Sequence, residues 1–418
     1  MTVPDDWAVA KIADVVSSIR AGVSLDGEDR IADAGEAAVL RTGAVLRGRF
    51  DATQQKVVAA GDAHRLRTPV AANSIILCRK NSEEVVGASV LVEMDIPNVY
   101  LSDLLWEIRP TPVTDVKWLS SVLQSADIRS RLRLAATGTQ ATMKNISRDR
   151  LLNVPIVVPP LPEQRKIAAI LSTWDDAIER LTSLRTAATR ERDWLRANVL
   201  TGMRRLPGFA SNWKIAPIAT ILHEHELKST GLEEVFSVSV HKGLVNQIEH
   251  LGRSFAAKET GHYNRVRPGD IVYTKSPTGD FPLGIIKQSK VDQEAIVSPL
   301  YGVFQPTSIA LGAILHGYFE SPELTRRFLH PLVQKGAKNT IAITNQKFLD
   351  GGFSYPTDEA EQRAIAQLLD ASERQIALVK QEESFLQRQK RGLMQKLLTG
   401  EIRVNVANEV ESAEVSHG

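Results

Sequence analysis

The sequence predicts a protein of the α/β (α+β) class, built as a pseudo-two-fold duplication of one plan, a globular domain followed by a long helix. Two observations predict it. Pro162-Glu163-Gln164-Arg165 opens a run that closes at Leu200-Thr201-Gly202, and Ala360-Glu361-Gln362-Arg363 opens another that closes at Leu398-Thr399-Gly400. The offset is 198 residues at both ends (361 − 163 and 400 − 202), so the runs align without a gap, with Ile167/Ile365, Leu171/Leu369, Ile178/Ile376, Arg190/Arg388, Leu195/Leu393 and Arg205/Arg403 identical. A repeat this long is read first, as two copies of one unit. The second observation is that each run follows a stretch of short strand and helix signals begun by a tryptophan, Trp7 or Trp213.

The elements follow in order. Residues 1–156 are expected to form the first globular domain. After Trp7 come strand signals at Ala37–Leu40, Asn73–Cys78, Val85–Val92 and Leu104–Arg109, stopped by Pro110 and Pro112. Trp118–Leu134 reads as helix, Gly138–Thr142 as a polar loop and Asn153–Val158 as a last strand. Residues 157–205 are the first long helix. Pro162 suits a first turn, Glu163 favours the positive end of the helix dipole, and Gly202 ends the run. Within it Ile167, Trp174, Leu181, Ala188 and Leu195 recur every seven residues, with Leu171, Ile178 and Val199 as a second row. Such a row means a seam packed on another helix, and the other copy is the obvious partner. At ~1.5 Å per residue the run is a rod of about 60 Å.

Residues 206–355 repeat the plan. Pro268–Lys275 lies on Ala72–Arg79, Ser321–Phe328 on Ser125–Leu132, and Gly336–Thr340 on Gly138–Thr142. Residues 356–404 are the second long helix, capped by Thr357 or Asp358, with Ile365, Val379, Leu386 and Leu393 in the seam and Ser372 as its break. The tail, 405–418, is acidic, lacks apolar period and reads as disordered. The two domains share a frame but differ at their polar tips: Arg41-Thr42 stands against His241-Lys242, and Gln140 against Lys338. Loops carry function while scaffolds carry packing. Simple drift of surface loops after duplication is the alternative.

Composition narrows the function classes. The chain has 418 residues, a formal charge of +2 and one cysteine, Cys78. That excludes an intramolecular disulfide and suits a cytoplasmic protein. No signal-peptide pattern or membrane-length apolar run is present. Total charge does not argue for nucleic acid, but its distribution does. Arg129, Arg131, Arg133, Lys144, Arg148 and Arg150 face one acid, Asp149, within 22 residues. Such a patch suits a phosphate backbone, and it equally suits a solvated helix face. Catalytic signatures are missing: no phosphate-binding Gly-x4-Gly-Lys loop, no glycine-rich cofactor turn and no Asn/Asp-Pro-Pro-Tyr/Phe tetrapeptide. His223-Glu224-His225 lacks a third defined metal ligand. Cys78 sits in an apolar run and reads as a buried structural thiol. Asp270 ahead of Lys275 lacks the acid-x-Lys pair of a nuclease site.

Two tryptophan-started domains, each ending in a Pro-rich strand, a Glu-Gln-Arg helix start and a Leu-Thr-Gly helix end, resemble the specificity (S) subunit, or HsdS family, of Type I restriction–modification systems. The resemblance spans about residues 1–404. It implies two target-recognition domains separated by two antiparallel helices that form a coiled-coil-like spacer. It implies a non-catalytic, DNA-binding, cytoplasmic prokaryotic protein reading a bipartite asymmetric site. Its partners would be double-stranded DNA, two adenine-N6 methyltransferase (M) subunits and restriction/translocase (R) subunits. No cofactor is expected in this chain; S-adenosylmethionine, ATP and Mg would belong to the partners. The resemblance points base readout at the polar loops: Arg41, Thr42, Arg47, Arg79, Lys80, Thr139, Gln140 and Lys144 in the first domain. In the second it points to Ser239, His241, Lys242, Lys275, Ser276, Lys338, Asn339 and Thr340. Arg and Lys suit guanine edges, Gln and Asn suit adenine, and hydroxyls suit phosphate or base. Docking of the methyltransferase is expected on the exposed helix faces carrying Arg190, Trp194, Phe385 and Arg388. Two other classes stay open: a protein–protein scaffold with two peptide-binding modules on a helical rod, and a self-sufficient nuclease.

Overall fold

The computed structural model describes residues 3–46, 48–138, 143–251, 260–335 and 341–406. The chain divides into two units, one made of Met1–Arg180 with Glu382–Gly418, the other of Leu181–Gln381. The long helices, Leu161–Asn198 and Glu359–Thr399, are each shared between the two.

In the first unit, strands Val16–Ala21, Leu105–Pro110, Ser74–Cys78 and Ser89–Val92 form an antiparallel sheet in that order. Its central strand Ser74–Cys78 is buried throughout, as the unbroken apolar run Ile75-Ile76-Leu77-Cys78 requires. One face carries Ile75, Leu77, Trp106 and Ile108 into a core completed by Trp118, Leu119 and Leu123. Ile76, Cys78 and Val90 join a second core with Leu40, Val99 and Leu101. Leu40, Val99 and Leu101 belong to a smaller sheet of Gly27–Glu28, Gln55–Val58, Ala38–Leu40 and Val99–Leu101. The segment read as one helix is two, Val116–Gln124 and Ala126–Ala135, because Ser125 accepts the Ile128 N–H and starts a new N-terminus. Ala8–Lys11 pairs with Pro155–Val158 and delivers the chain into the first long helix.

The second unit repeats this frame. Leu222–Glu224, Gly302–Pro306, Ile271–Thr274 and Ile285–Gln288 form the matching antiparallel sheet. Helices Ile309–Phe319 and Pro322–Leu329 follow, with Ser308 and Ser321 as N-caps and Pro322 in the first turn. Lys214–Pro217 pairs with Gly352–Tyr355. Phe304, Phe319, Phe328, Phe348 and Phe353 fill the core in tilted and edge-on pairs.

Within each unit the two long helices run antiparallel. In the first, Glu163 meets Arg403 and Asp175 accepts from Lys390 Nζ at 2.5 Å. In the second, Glu361 meets Arg205 and Glu373 Oε1 accepts from Arg196 Nη2 at 2.8 Å. The seven-residue row explains the packing: Ile167, Ala188, Leu195, Ile365 and Val379 are all buried.

These units show what the repeated Glu-Gln pair does. Glu163, 3% exposed, accepts Trp7 Nε1 at 2.9 Å and Arg403 Nε at 2.8 Å, and the guanidinium lies 5.7 Å from the Trp7 ring centre. Glu361, 0% exposed, accepts Trp213 Nε1 at 3.3 Å and both arms of Arg205 at 2.7 and 2.6 Å. Gln164 and Gln362 each donate to a carbonyl, Pro159 or Pro356, at 2.9 Å. Their Oε1 atoms hold the N-cap of the domain helix, through the Asp115 N–H and the Ser308 hydroxyl. The motif therefore locks each domain onto the start of its helix, and the Arg after the other helix closes the lock.

Candidate nucleic-acid interface

Three stretches of the first unit converge on one small ribbon. Lys80–Asn81 pairs antiparallel with Lys144–Asn145, placing Lys144 opposite Asn81 and Asn145 opposite Lys80. Asn81 Nδ2 donates to Thr42 Oγ1 at 3.0 Å, which brings in the short 3-10 turn Thr42–Val45. Lys80, Lys144, Asn81 and Thr42 thus stand together, all half-buried. Lys144 Nζ donates to the Gly138 carbonyl at 3.0 Å. Asn81 was not among the expected residues; its signal was the polar run Arg79-Lys80-Asn81-Ser82 directly after a buried strand.

Arg41 and Arg79 are placed differently. Arg41 is paired with Asp29 at 3.3 Å and is half exposed. Arg79 turns back on the fold, giving Nε to the Asp103 carbonyl at 2.7 Å and lying 5.7 Å from the Trp106 ring centre. Arg49, just past the 3-10 turn, donates to Glu179 at 2.9 Å and ties that loop to the first long helix. In the basic stretch, Arg129 donates to the Val86 and Glu84 carbonyls and Arg150 to Ala135, so part of the patch braces the fold. Burial, with Arg133 nearby, lowers the Arg129 pKa.

In the second unit the hairpin Phe236–Ser239/Gly243–Asn246 carries His241 and Lys242 exposed at its tip. The Lys242 N–H donates to Ser239 Oγ at 3.4 Å. His241 and Lys242 share a cleft of about 290 Å³ with Gln288, Lys290 and His316. Lys275 and Ser276 lie on a separate loop, exposed, with the Ser276 N–H donating to Thr274 Oγ1. Desolvation lowers the Lys275 pKa against the opposing pull of Glu224. Arg47, Thr139, Gln140, Lys338, Asn339 and Thr340 lie outside the described residues.

The helix-face residues are exposed in both units. Arg190 and Trp194 share a face by their four-residue spacing, as Phe385 and Arg388 do by three. His225 gives Nε2 to Asp270 at 2.9 Å while its Nδ1 accepts the Leu227 N–H, and the same Asp270 oxygen accepts the Arg267 N–H. That pair is a structural clasp at the base of a strand. Among the described residues no three His, Cys, Asp or Glu side chains gather to hold a metal ion, and no helix is long and apolar enough to cross a membrane.

Residues 4–187 match the family described as the Type I restriction modification DNA specificity domain. A candidate specificity subunit of the MjaX type I restriction enzyme of Methanocaldococcus jannaschii is 23% identical over 426 residues, covering 96% of this chain and 95% of that one. The MjaVIII type I specificity subunit of the same organism is 22% identical over 445 residues, covering 98% and 96%. The chain is thus similar to Type I specificity subunits along nearly its whole length, and residues 4–187 carry the match to their DNA specificity domain. The crystal structure of a Type I S subunit from M. genitalium shares the fold, with a TM-score of 0.58 at 16% identity over 95% of this chain and 98% of that one. The duplicated frame shares that fold, with mixed sheets and helices in each unit and the long helices antiparallel within each.

Proposed function

We propose that the chain reads a bipartite, asymmetric DNA site, one half through residues 1–156 and the other through residues 206–355, and docks methyltransferase and restriction subunits. The observation that carries this reading is the frame shared by the two halves, with unlike tips. The four-stranded sheets match strand for strand, yet one half presents Thr42, Lys80, Asn81 and Lys144 where the other presents His241, Lys242, Lys275 and Ser276. Amide and ammonium groups on a two-stranded ribbon suit base edges in a major groove, which admits such a ribbon. The exposed Arg190/Trp194 and Phe385/Arg388 faces support docking of methyltransferase subunits. Methyl donor, ATP and Mg belong to those partners in this reading, and the chain itself performs no chemistry.

The test has two arms. The purified chain with labelled S-adenosylmethionine and duplex DNA is expected to transfer no methyl group. Co-expressed with its methyltransferase partner, it is expected to direct adenine methylation to a split motif, and its duplex binding should weaken steeply with salt. Transfer by the chain alone, or a contiguous palindromic motif, overturns the reading.

A further inference from the structure

The second unit holds a chain of charges around two buried cations, at places where the first has neutral residues. Lys287 on the edge strand Ile285–Gln288 is 1% exposed, and its ammonium is bonded to Glu320, just past the helix Ile309–Phe319. Glu320 also faces Arg196 of the first long helix at 3.7 Å and His316 Nε2 at 3.8 Å. Arg196, 7% exposed, donates to Glu373 of the second long helix at 2.8 Å. The Gln288 N–H donates to His316 Nδ1 at 3.2 Å, which leaves the neutral ring's proton on Nε2, toward Glu320. Burial pushes the His316 pKa down to about 4, so the ring is neutral near pH 7. Burial would raise Glu320, but Lys287 and Arg196 beside it hold the carboxyl below its ordinary value.

The first unit has neutral residues at the matching places. Lys287 pairs with Val272 as Val90 pairs with Ile76. Glu320 precedes the cap Ser321 as Gln124 precedes Ser125, and Gln124 bonds Ser120 Oγ four residues back, where His316 stands in the second unit. Two buried cations are costly to desolvate even beside partly exposed acids, and replacement of buried ion pairs by apolar residues is often neutral or stabilising. Stability alone therefore does not account for them.

The charge chain ends at a polar loop. Lys287 Nζ lies 5.9 Å from the ring centre of Phe281, itself 4% exposed. Phe281 exchanges two backbone hydrogen bonds with Thr278, at 3.1 and 2.7 Å, and Tyr273 Oη donates to the Leu283 carbonyl at 2.9 Å. These contacts anchor the loop that presents Lys275 and Ser276. We propose that Lys287 and Glu320 are positioning residues for DNA reading: through Arg196 and Glu373 they fix the 275–284 loop to the long helices, so that the half-site read by this unit depends on them. This rests on the proposal that residues 206–355 read DNA.

The test uses the full chain co-expressed with its methyltransferase partner. Lys287→Met combined with Glu320→Gln removes the ion pair without stranding either charge, and Phe281→Leu detaches the loop while leaving the pair intact. Both variants are expected to speed amide exchange in residues 275–284 by about tenfold or more. They should also lower discrimination at one half of the methylated motif by about tenfold, with the other half unchanged. Unchanged exchange and an unchanged motif in either variant overturn the proposal, as does equal loss at both halves. If the parental chain directs no split-motif methylation, the DNA reading has failed instead, and the exchange measurement still decides whether Lys287 and Glu320 hold the loop.

Discussion

Glu163 and Glu361 occupy the same place in the repeat, yet their surroundings differ by one residue. Arg403 and Arg205 each give Nε and Nη2 to their glutamate, but Arg403 also donates to both Asp6 oxygens at 2.9 and 2.7 Å. Loss of one member of a buried pair leaves the other unpaired and is strongly destabilising. Glu361→Gln is therefore expected to cost about 2–3 kcal/mol, and Glu163→Gln about 1–2 kcal/mol because Asp6 still holds the guanidinium. Urea unfolding of the two variants checks the order, and a larger loss at Glu163 contradicts it. Cys78 gives a second expectation. It is 0% exposed, and burial pushes its thiol up to about 11. Thiolate is the reactive form, so at pH 8 roughly 0.1% of it is available. Iodoacetamide should leave the native thiol untouched over hours and label it fully in urea; fast native labelling would mean that the strand opens.

The long helices were legible in sequence almost to their ends, because capping chemistry and a seven-residue apolar row are local signals. The same row ran through residues that the fold buries, Ile167 and Ile365 among them. What escaped the sequence was anything set by tertiary packing. Ser125 split a helix that periodicity joined, and nothing local to Lys287 announces the Glu320 with which it pairs. Asn81 was passed over for the charged Lys80 beside it, since pairing with Lys144–Asn145 is what brings it forward. Helix ends offer a test at this scale. Gly202 and Gly400 adopt positive φ, +71° and +75°, where a side chain costs about 1–2 kcal/mol. A Cβ at Gly202 would lie 3.2 Å from the Trp213 ring, whereas at Gly400 it would lie 2.6 Å from Pro4 Cγ. Gly400→Ala is expected to lower the melting temperature more than Gly202→Ala, because a proline ring on a short segment yields less than the rim of a tryptophan. Equal losses would show that backbone conformation alone sets the cost.

At the scale of the whole chain, each unit contains everything its own sheet needs. The first core is built from Trp7, the sheet, Trp118 and the helix residues Ile167, Leu171, Leu397 and Leu398; the second from Ile218, the phenylalanine cluster and Leu195, Val199, Ile365 and Leu369. Each polar tip hangs on one such core, and the Glu–Arg–Trp lock fastens each domain to a helix start by residues common to both copies. Exchanging residues 1–156 for the same region of a relative therefore keeps Glu163, Gln164 and Arg403, which hold whatever domain carries the tryptophan and the closing strand. The expected outcome is a methylated motif with one new half and one parental half. The exchange removes Thr42, Lys80, Asn81 and Lys144 together while leaving Lys275, Ser276, His241 and Lys242 on an untouched scaffold. Methylome sequencing of a host expressing the chimera with the methyltransferase reads both halves at once. A chimera that changes both halves together would mean that the tips are not independent readers, whereas a folded chimera with the parental motif intact would move base reading out of residues 1–156.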